Sequence, residues 1–181
     1  MPLKHSLPKF LGGVVDPAAY QRWLSRKATA HVTRDRKRGR VCADATYKEA
    51  IHTAVMASDG LDAYTGEALD WRLLSTYKNE ESQAGRHAYK AGFALLPTVD
   101  HVSAEATEAS FKICAWRTND AKNDLSVAGF IELCRRVVIH AGYQVSELAS
   151  ARRPRDQLHP QETSEVCALA AFVTQPSNLT W

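Results

Sequence analysis

Only four cysteines stand in 181 residues, at positions 42, 114, 134 and 167, and no two of them form a Cys-x-x-Cys pair. That spacing supplies neither a four-cysteine zinc site nor the density of a disulfide scaffold, so buried free thiols are expected. Long apolar runs are missing as well. No stretch approaches the roughly 18 continuous apolar residues of a membrane span, and the start MPLKHSLPKFLGG lacks the apolar stretch of a secretory signal. The expectation is a soluble, cytoplasmic chain with no membrane partner. No internal repeat or low-complexity stretch stands out, and no strong excess of one charge sign exists, since the net charge is only +3.

Where the charges fall is more informative than their sum. Arg34-Asp-Arg-Lys-Arg-Gly-Arg40 places five cations and one anion in seven residues, Arg22, Arg26 and Lys27 precede it, and Arg152, Arg153 and Arg155 form a second cluster. Such clusters suit phosphate backbones, because each Lys or Arg that neutralises a phosphate releases a counterion. The plainer reading is a solvated basic face. With 45% hydrophobic residues, the chain is long enough for one well-buried core with appendages.

Periodicity places the elements. Residues 1–15 hold two prolines and a Gly-Gly pair and read as an irregular arm. Asp16-Pro17 is a good helix start, and Tyr20, Trp23, Leu24, Ala28 and His31 then recur on one helical face, with Arg22, Arg26 and Arg36 opposite and Gly39 at the end. Thr46 to Glu49 has capping-box spacing ahead of the stripe Ala50, Ile51, Ala54 and Val55, which Asp59-Gly60 terminates. Tyr64 to Glu67 reads as a turn, and Tyr77 to Gly92 as polar and weakly helical. Leu95 to Val102 and Phe111 to Trp116 read as strands, joined by a polar loop from Ser103 to Ser110. Thr118 suits the cap of a short helix holding Asn119 to Asn123. Ser126 suits the start of a longer one, with Val127, Phe130, Ile131, Cys134 and Val138 as its buried stripe and Gly142 at its end. The apolar run Val166 to Val173 is expected as a short helix packing back on the core. Trp23, Trp71 and Trp116 are expected in the core, while His31, His52, His87, His140 and His159 are expected in packing or surface roles.

Strand, loop, strand and short helix from Val99 to Asn123 bring an Asp-His pair beside two asparagines spaced i and i+4, on one helical face. A carboxylate and amide oxygens suit a hard cation that keeps several waters, and a neutral imidazole can accept a proton from water near neutral pH. That combination suits phosphodiester hydrolysis.

Val99-Asp100-His101-Val102, followed by Ser110 and then by Asn119 and Asn123 nine and thirteen residues later, resembles the pattern of the HNH (ββα-metal) nucleases. The upstream Tyr64-Thr-Gly-Glu67 resembles the turn that precedes the motif in many members. The likeness spans about Tyr64 to Arg136, and only Val99 to Asp124 matches at motif level. It implies His101 as the base that activates water, Asp100 and Asn119 as metal ligands, and Asn123 as a further ligand or substrate contact. Arg117 and Lys122 would make phosphate contacts, and the ion would be Mg²⁺ or, alternatively, Mn²⁺. Ser110 replaces the family's central Asn and has one polar arm to tie the loop where Asn has two. The cysteine pairs of many members are missing, so the core is expected to rest on Phe111, Ile113, Trp116 and Phe130.

The expected fold is α+β and mostly helical. Residues 1–60 would form a basic helical N-terminal region, 61–142 the ββα core, and 143–181 a C-terminal helical tail packing on it. The expected partner is DNA, in double-stranded form, with the basic residues from Arg22 to Arg40, Arg34, Arg36 and Lys37 among them, on its phosphates. Two alternatives are a catalytically inactive HNH-like nucleic-acid-binding or assembly protein and a helical interaction protein.

Overall fold

A computed structural model describes residues 4–39, 43–74, 76, 78–102, 110–147 and 171–174. Arg40, Cys42, Tyr77, most of the Ser103 to Ser110 loop, the Arg152 to Arg155 cluster, His159, Cys167 and Trp181 lie outside those residues. The chain divides into two compact units, residues 1–126 and 127–181. The division falls inside the segment 61–142, and residues 1–60 share a core with the hairpin that follows them.

In the first unit, α1 (Pro17–Lys37) begins as its sequence dictates. Asp16 Oδ2 accepts a hydrogen bond from the Ala19 N–H at 2.7 Å, and Pro17 occupies a position that needs no N–H partner. Tyr20, Trp23, Leu24, Ala28 and His31 are all buried, and the buried face continues through Val32 to Asp35. Helix α2 (Asp44–Ser58) packs against α1 and presents Tyr47, Ile51 and Val55 to the core. It starts two residues before the expected capping box. Ala43 is the N-cap without a side-chain bond, and Glu49 lies 3.0 Å from His5 Nε2 instead of capping the helix. Asp59 and Gly60 end the helix with positive φ. A side chain at Gly60 would come within 3.3 Å of the Phe10 ring.

The irregular arm contributes too: a 3-10 turn at Lys9–Leu11 seats Leu11 in the core. The polar stretch forms α3 (Asn79–Ala91). Strands β1 (Pro97–His101) and β2 (Phe111–Ala115) pair antiparallel, with Val99 opposite Ile113 and His101 opposite Phe111, and α4 (Trp116–Lys122) follows directly. The architecture is thus a mostly helical α+β fold containing an antiparallel hairpin followed by helix. Helix α2 lies against β2, so Val99, Phe111 and Ile113 join the α1–α2 core. Cys114 is a buried free thiol; Trp23 and Trp71 are core residues and Trp116 is half-buried.

Helix α4 starts earlier than expected and is not capped by Thr118. The carbonyls of Leu96 and Ala94 accept from the Trp116 and Arg117 N–H groups at 2.9 and 3.1 Å. The junction just before the helix is held from a distant turn by the carboxylate of Asp62. Its Oδ2 accepts from the Ala115 N–H (2.8 Å) and the Thr118 hydroxyl (2.7 Å), while Oδ1 accepts from the Tyr64 and Thr65 N–H groups at 2.7 and 3.1 Å. A carboxylate at a helix start also meets the positive end of the helix dipole.

In the second unit, α5 (Val127–His140) presents a half-buried stripe, not a fully buried one: Val127, Phe130, Ile131 and Val138 are intermediate and Cys134 is exposed. Residues 171–173, expected as helix, belong to β4 (Ala171–Thr174), which pairs antiparallel with β3 (Gln144–Glu147). The Phe-Val-Thr sequence favours a strand once a partner is present. Among the described residues, no helix is long and apolar enough to cross a membrane.

Asp62→Ala strands three backbone donors and a buried hydroxyl at once. We expect a loss of about 4 kcal/mol in stability by urea denaturation, at about 1–3 kcal/mol for each buried group left unsatisfied; a loss below about 1 kcal/mol would show that the turn and α4 stand independently.

Candidate functional site

Alternation along β1 places Thr98 and Asp100 on one face and Val99 and His101 on the other. Two adjacent residues on opposite faces share a site only where the strand ends. His101 is the last residue of β1, and a cleft of about 770 Å³ at this place is lined by both side chains. From α1 and its C-cap come Lys27, His31, Arg34 and Arg38, which recur along one helical face; from α4 and the turn after it come Asn119, Lys122 and Asn123.

Asp100 is 6% exposed and engaged on both oxygens. Tyr64 donates its hydroxyl to Oδ2, and Lys122 Nζ lies 3.3 Å from Oδ1 and 3.2 Å from Oδ2. Burial first, and then the bond to Asp100, raise the Tyr64 phenol above its ordinary range, so it stays protonated as a donor. Tyr64 is delivered by the turn that Asp62 organises, in which Gly66 adopts φ 72. Burial, with Asp100 and Asp62 nearby, likewise raises the thiol of Cys114 and keeps it protonated.

His101 is enclosed by its neighbours. Phe111 meets it edge-on with ring centroids 5.1 Å apart, and His31 lies nearly parallel at 6.3 Å. Its Nε2 is 3.2 Å from Oδ2 of Asp35, a fully buried residue of α1 whose same oxygen accepts the Tyr47 hydroxyl at 2.5 Å. The approach is off the line of a ring N–H bond, and among the described residues neither ring nitrogen has a hydrogen-bond partner. His31 is held neutral: burial, then Arg34 and Lys27, push its pKa down to about 3. Lys27 donates to Thr98 Oγ1 at 3.0 Å, and burial, then Arg26, lower its pKa.

The structure brings together Asp100, His101, Asn119, Asn123, Lys122 and Arg34 from the residues expected on sequence grounds. Asn119 is within α4, whereas Asn123 lies just past its end with φ 48, its N–H bonded to the Asn119 carbonyl at 2.9 Å. Lys122 is ion-paired with Asp100. Arg117 does not line the cleft; it is exposed and bonded to Glu67 of the Tyr64 turn. Arg36 and Lys37 are exposed outside the cleft lining. Ser110 closes the base of the loop through its backbone carbonyl, which accepts from the Val102 N–H at 3.0 Å. Asp35 and the role of Tyr64 are what sequence reasoning missed, whereas Lys27 and Arg38 belong to the basic residues expected on phosphates. The one-face spacing of Lys27, Arg34 and Arg38 is what separates the cations in the cleft from those outside it.

The carboxylates of Asp100, Asp120 and Asp124 and the amides of Asn119 and Asn123 offer oxygen donors along one cleft. This set fits a hard cation such as Mg²⁺ that retains several waters. It does not fit a closed site of His, Cys and acidic ligands, and among the described residues no group of three such side chains gathers. Any cation at Asp100 competes with the ammonium of Lys122. No protein-family model matches the chain, and neither does any curated protein or solved structure.

Because Asp100 and Lys122 are both buried, removing one leaves the other's charge uncompensated. Lys122→Met is expected to cost about 3–5 kcal/mol by urea denaturation at neutral pH, and adding Asp100→Asn to recover most of that loss. Additive losses from the two changes would show that the pair is not coupled.

Proposed function

We propose that this chain is an HNH-type endonuclease that hydrolyses phosphodiester bonds of double-stranded DNA in the cytoplasm, dependent on a divalent metal. The observation that carries the reading is the cleft at the end of the hairpin, which gathers His101, Asp100, Asn119 and Asn123 beneath a cationic face of α1. An imidazole, an oxygen donor set and cations in one cleft are what in-line attack on a phosphodiester requires.

In this reading His101 accepts a proton from a water molecule as the water oxygen bonds to phosphorus. The bond from phosphorus to the leaving ester oxygen breaks, and that oxygen takes a proton from solvent. Asp100 and Asn119, with Asn123 as a further contact, would hold Mg²⁺ or Mn²⁺, which when bound supplies Lewis-acid stabilisation of the charge developing on the phosphoryl group. Arg34 and Arg38 sit where they can neutralise backbone phosphates and so position the duplex without reading its sequence. Lys27, tied to Thr98, braces α1 against β1.

A second reading, a catalytically inactive HNH-like nucleic-acid-binding or assembly protein, draws on the engagement of both Asp100 oxygens by Tyr64 and Lys122. Cleavage of supercoiled plasmid separates the two. We expect nicking with Mg²⁺ or Mn²⁺ that EDTA removes and His101→Ala abolishes; DNA binding without cleavage by the folded wild type would favour the inactive protein.

DNA contact is tested by salt dependence. Arg34→Glu with Arg38→Glu should weaken binding and reduce the slope of log affinity against log salt by about 2, one for each phosphate that the protein no longer neutralises. Arg36→Glu with Lys37→Glu, outside the cleft, should change it less. Equal effects from both pairs would place the DNA elsewhere on α1.

A further inference from the structure

We propose that Asp35 is the positioning residue of His101, holding the imidazole proton on Nε2 so that Nδ1 carries the lone pair used to accept a proton. The proposal rests on the nuclease reading for its catalytic consequence, and on geometry alone for its structural part. Asp35 is 0% exposed, and its Oδ2 receives the Tyr47 hydroxyl on one side and lies 3.2 Å from His101 Nε2 on the other. A carboxylate so deeply buried is costly unless donors meet it, and a ring N–H is the donor His101 can offer.

The neighbours divide the work. Phe111, edge-on at 89°, and His31, at 29°, fix the plane of the His101 ring but do not distinguish its two nitrogens. A half-turn of the ring would exchange Nε2 for a carbon at nearly the same cost in packing. The anionic oxygen of Asp35 breaks that symmetry, because it favours N–H at Nε2 and repels a lone pair there. Asp35 lies on α1 and is separated from the hairpin by the whole of α2, α3 and the turns between them. The helix that supplies the cationic face of the cleft therefore also orients its imidazole.

The test begins with wild-type protein labelled with ¹⁵N in histidine. Its NMR spectrum at a pH where His101 is neutral should show the Nε2–H tautomer, with Nδ1 unprotonated; the Nδ1–H tautomer would overturn the proposal without any variant or any DNA. Asp35→Asn keeps the shape but weakens the acceptor. It should mix the tautomers and lower kcat about tenfold to a hundredfold, the usual cost of losing a partner that orients an active-site histidine, with KM changed less than about twofold. Tyr47→Phe removes a hydroxyl donor to Asp35 and keeps Asp35 beside His101, so tautomer and kcat should stay near wild type. If Asp35→Asn leaves both unchanged, or Tyr47→Phe matches its effect, Asp35 is a structural residue only. The expected tautomers in a protein that cuts no DNA would overturn the nuclease reading and leave the role of Asp35 standing.

Discussion

The carboxylate of Asp62 is the constraint on which the cleft depends. It accepts four donors from two stretches of chain that lie about fifty residues apart, the Tyr64 turn and the junction of β2 with α4. Through the first it presents Tyr64 to Asp100, and through the second it sets where α4 begins and hence where Asn119 and Lys122 stand. A neutral side chain could not satisfy so many donors at one point, since a carboxylate accepts on both oxygens and meets the positive end of the helix as well. The Tyr64 turn and α4 are thus held by the same group.

Around this anchor, the two neighbouring residues of β1 face different environments. Asp100 lies among Tyr64, Lys122 and the thiol of Cys114, where its charge is compensated locally. His101 lies against Phe111, His31 and Asp35, at the edge of the apolar core. A strand that continued past His101 would keep these settings apart. Its ending there lets one cleft receive both, and α1 runs alongside to supply Lys27, Arg34 and Arg38.

The backbone elements of the first unit were largely legible because their signals are local. Asp16-Pro17, the one-face apolar spacing of α1, the Asp59-Gly60 stop and the alternation in β1 and β2 each act within a few residues. Where the expectation and the structure differ, a distant partner had prevailed. Thr118 gives its hydroxyl to Asp62 while the carbonyls of Leu96 and Ala94 meet the first N–H groups of α4, Glu49 turned to His5, and the apolar run ending at Val173 became a strand at 171–174 because β3 offers it a ladder. The half-buried stripe of α5 shows the limit of periodicity, which says which face is apolar but not how much of it will be covered.

The candidate site divides in the same way. Sequence by itself determined that Asp100 and His101 lie on a strand and that Asn119 lies on the helix that follows the next strand, because strand and helix periods fix those positions locally, whereas the structure ends the strand at His101 and leaves Asn123, expected on the same helical face as Asn119, just past the helix. Tertiary structure alone decided that Lys122 neutralises Asp100, that Tyr64 donates to it, that Arg34 enters the cleft while Arg36 and Lys37 stay outside, and that Asp35 stands beside His101. Those outcomes depend on which face of α1 turns towards β1 and on charges buried across dozens of residues, and neither the periodicity of a helix nor the spacing of a motif carries that information.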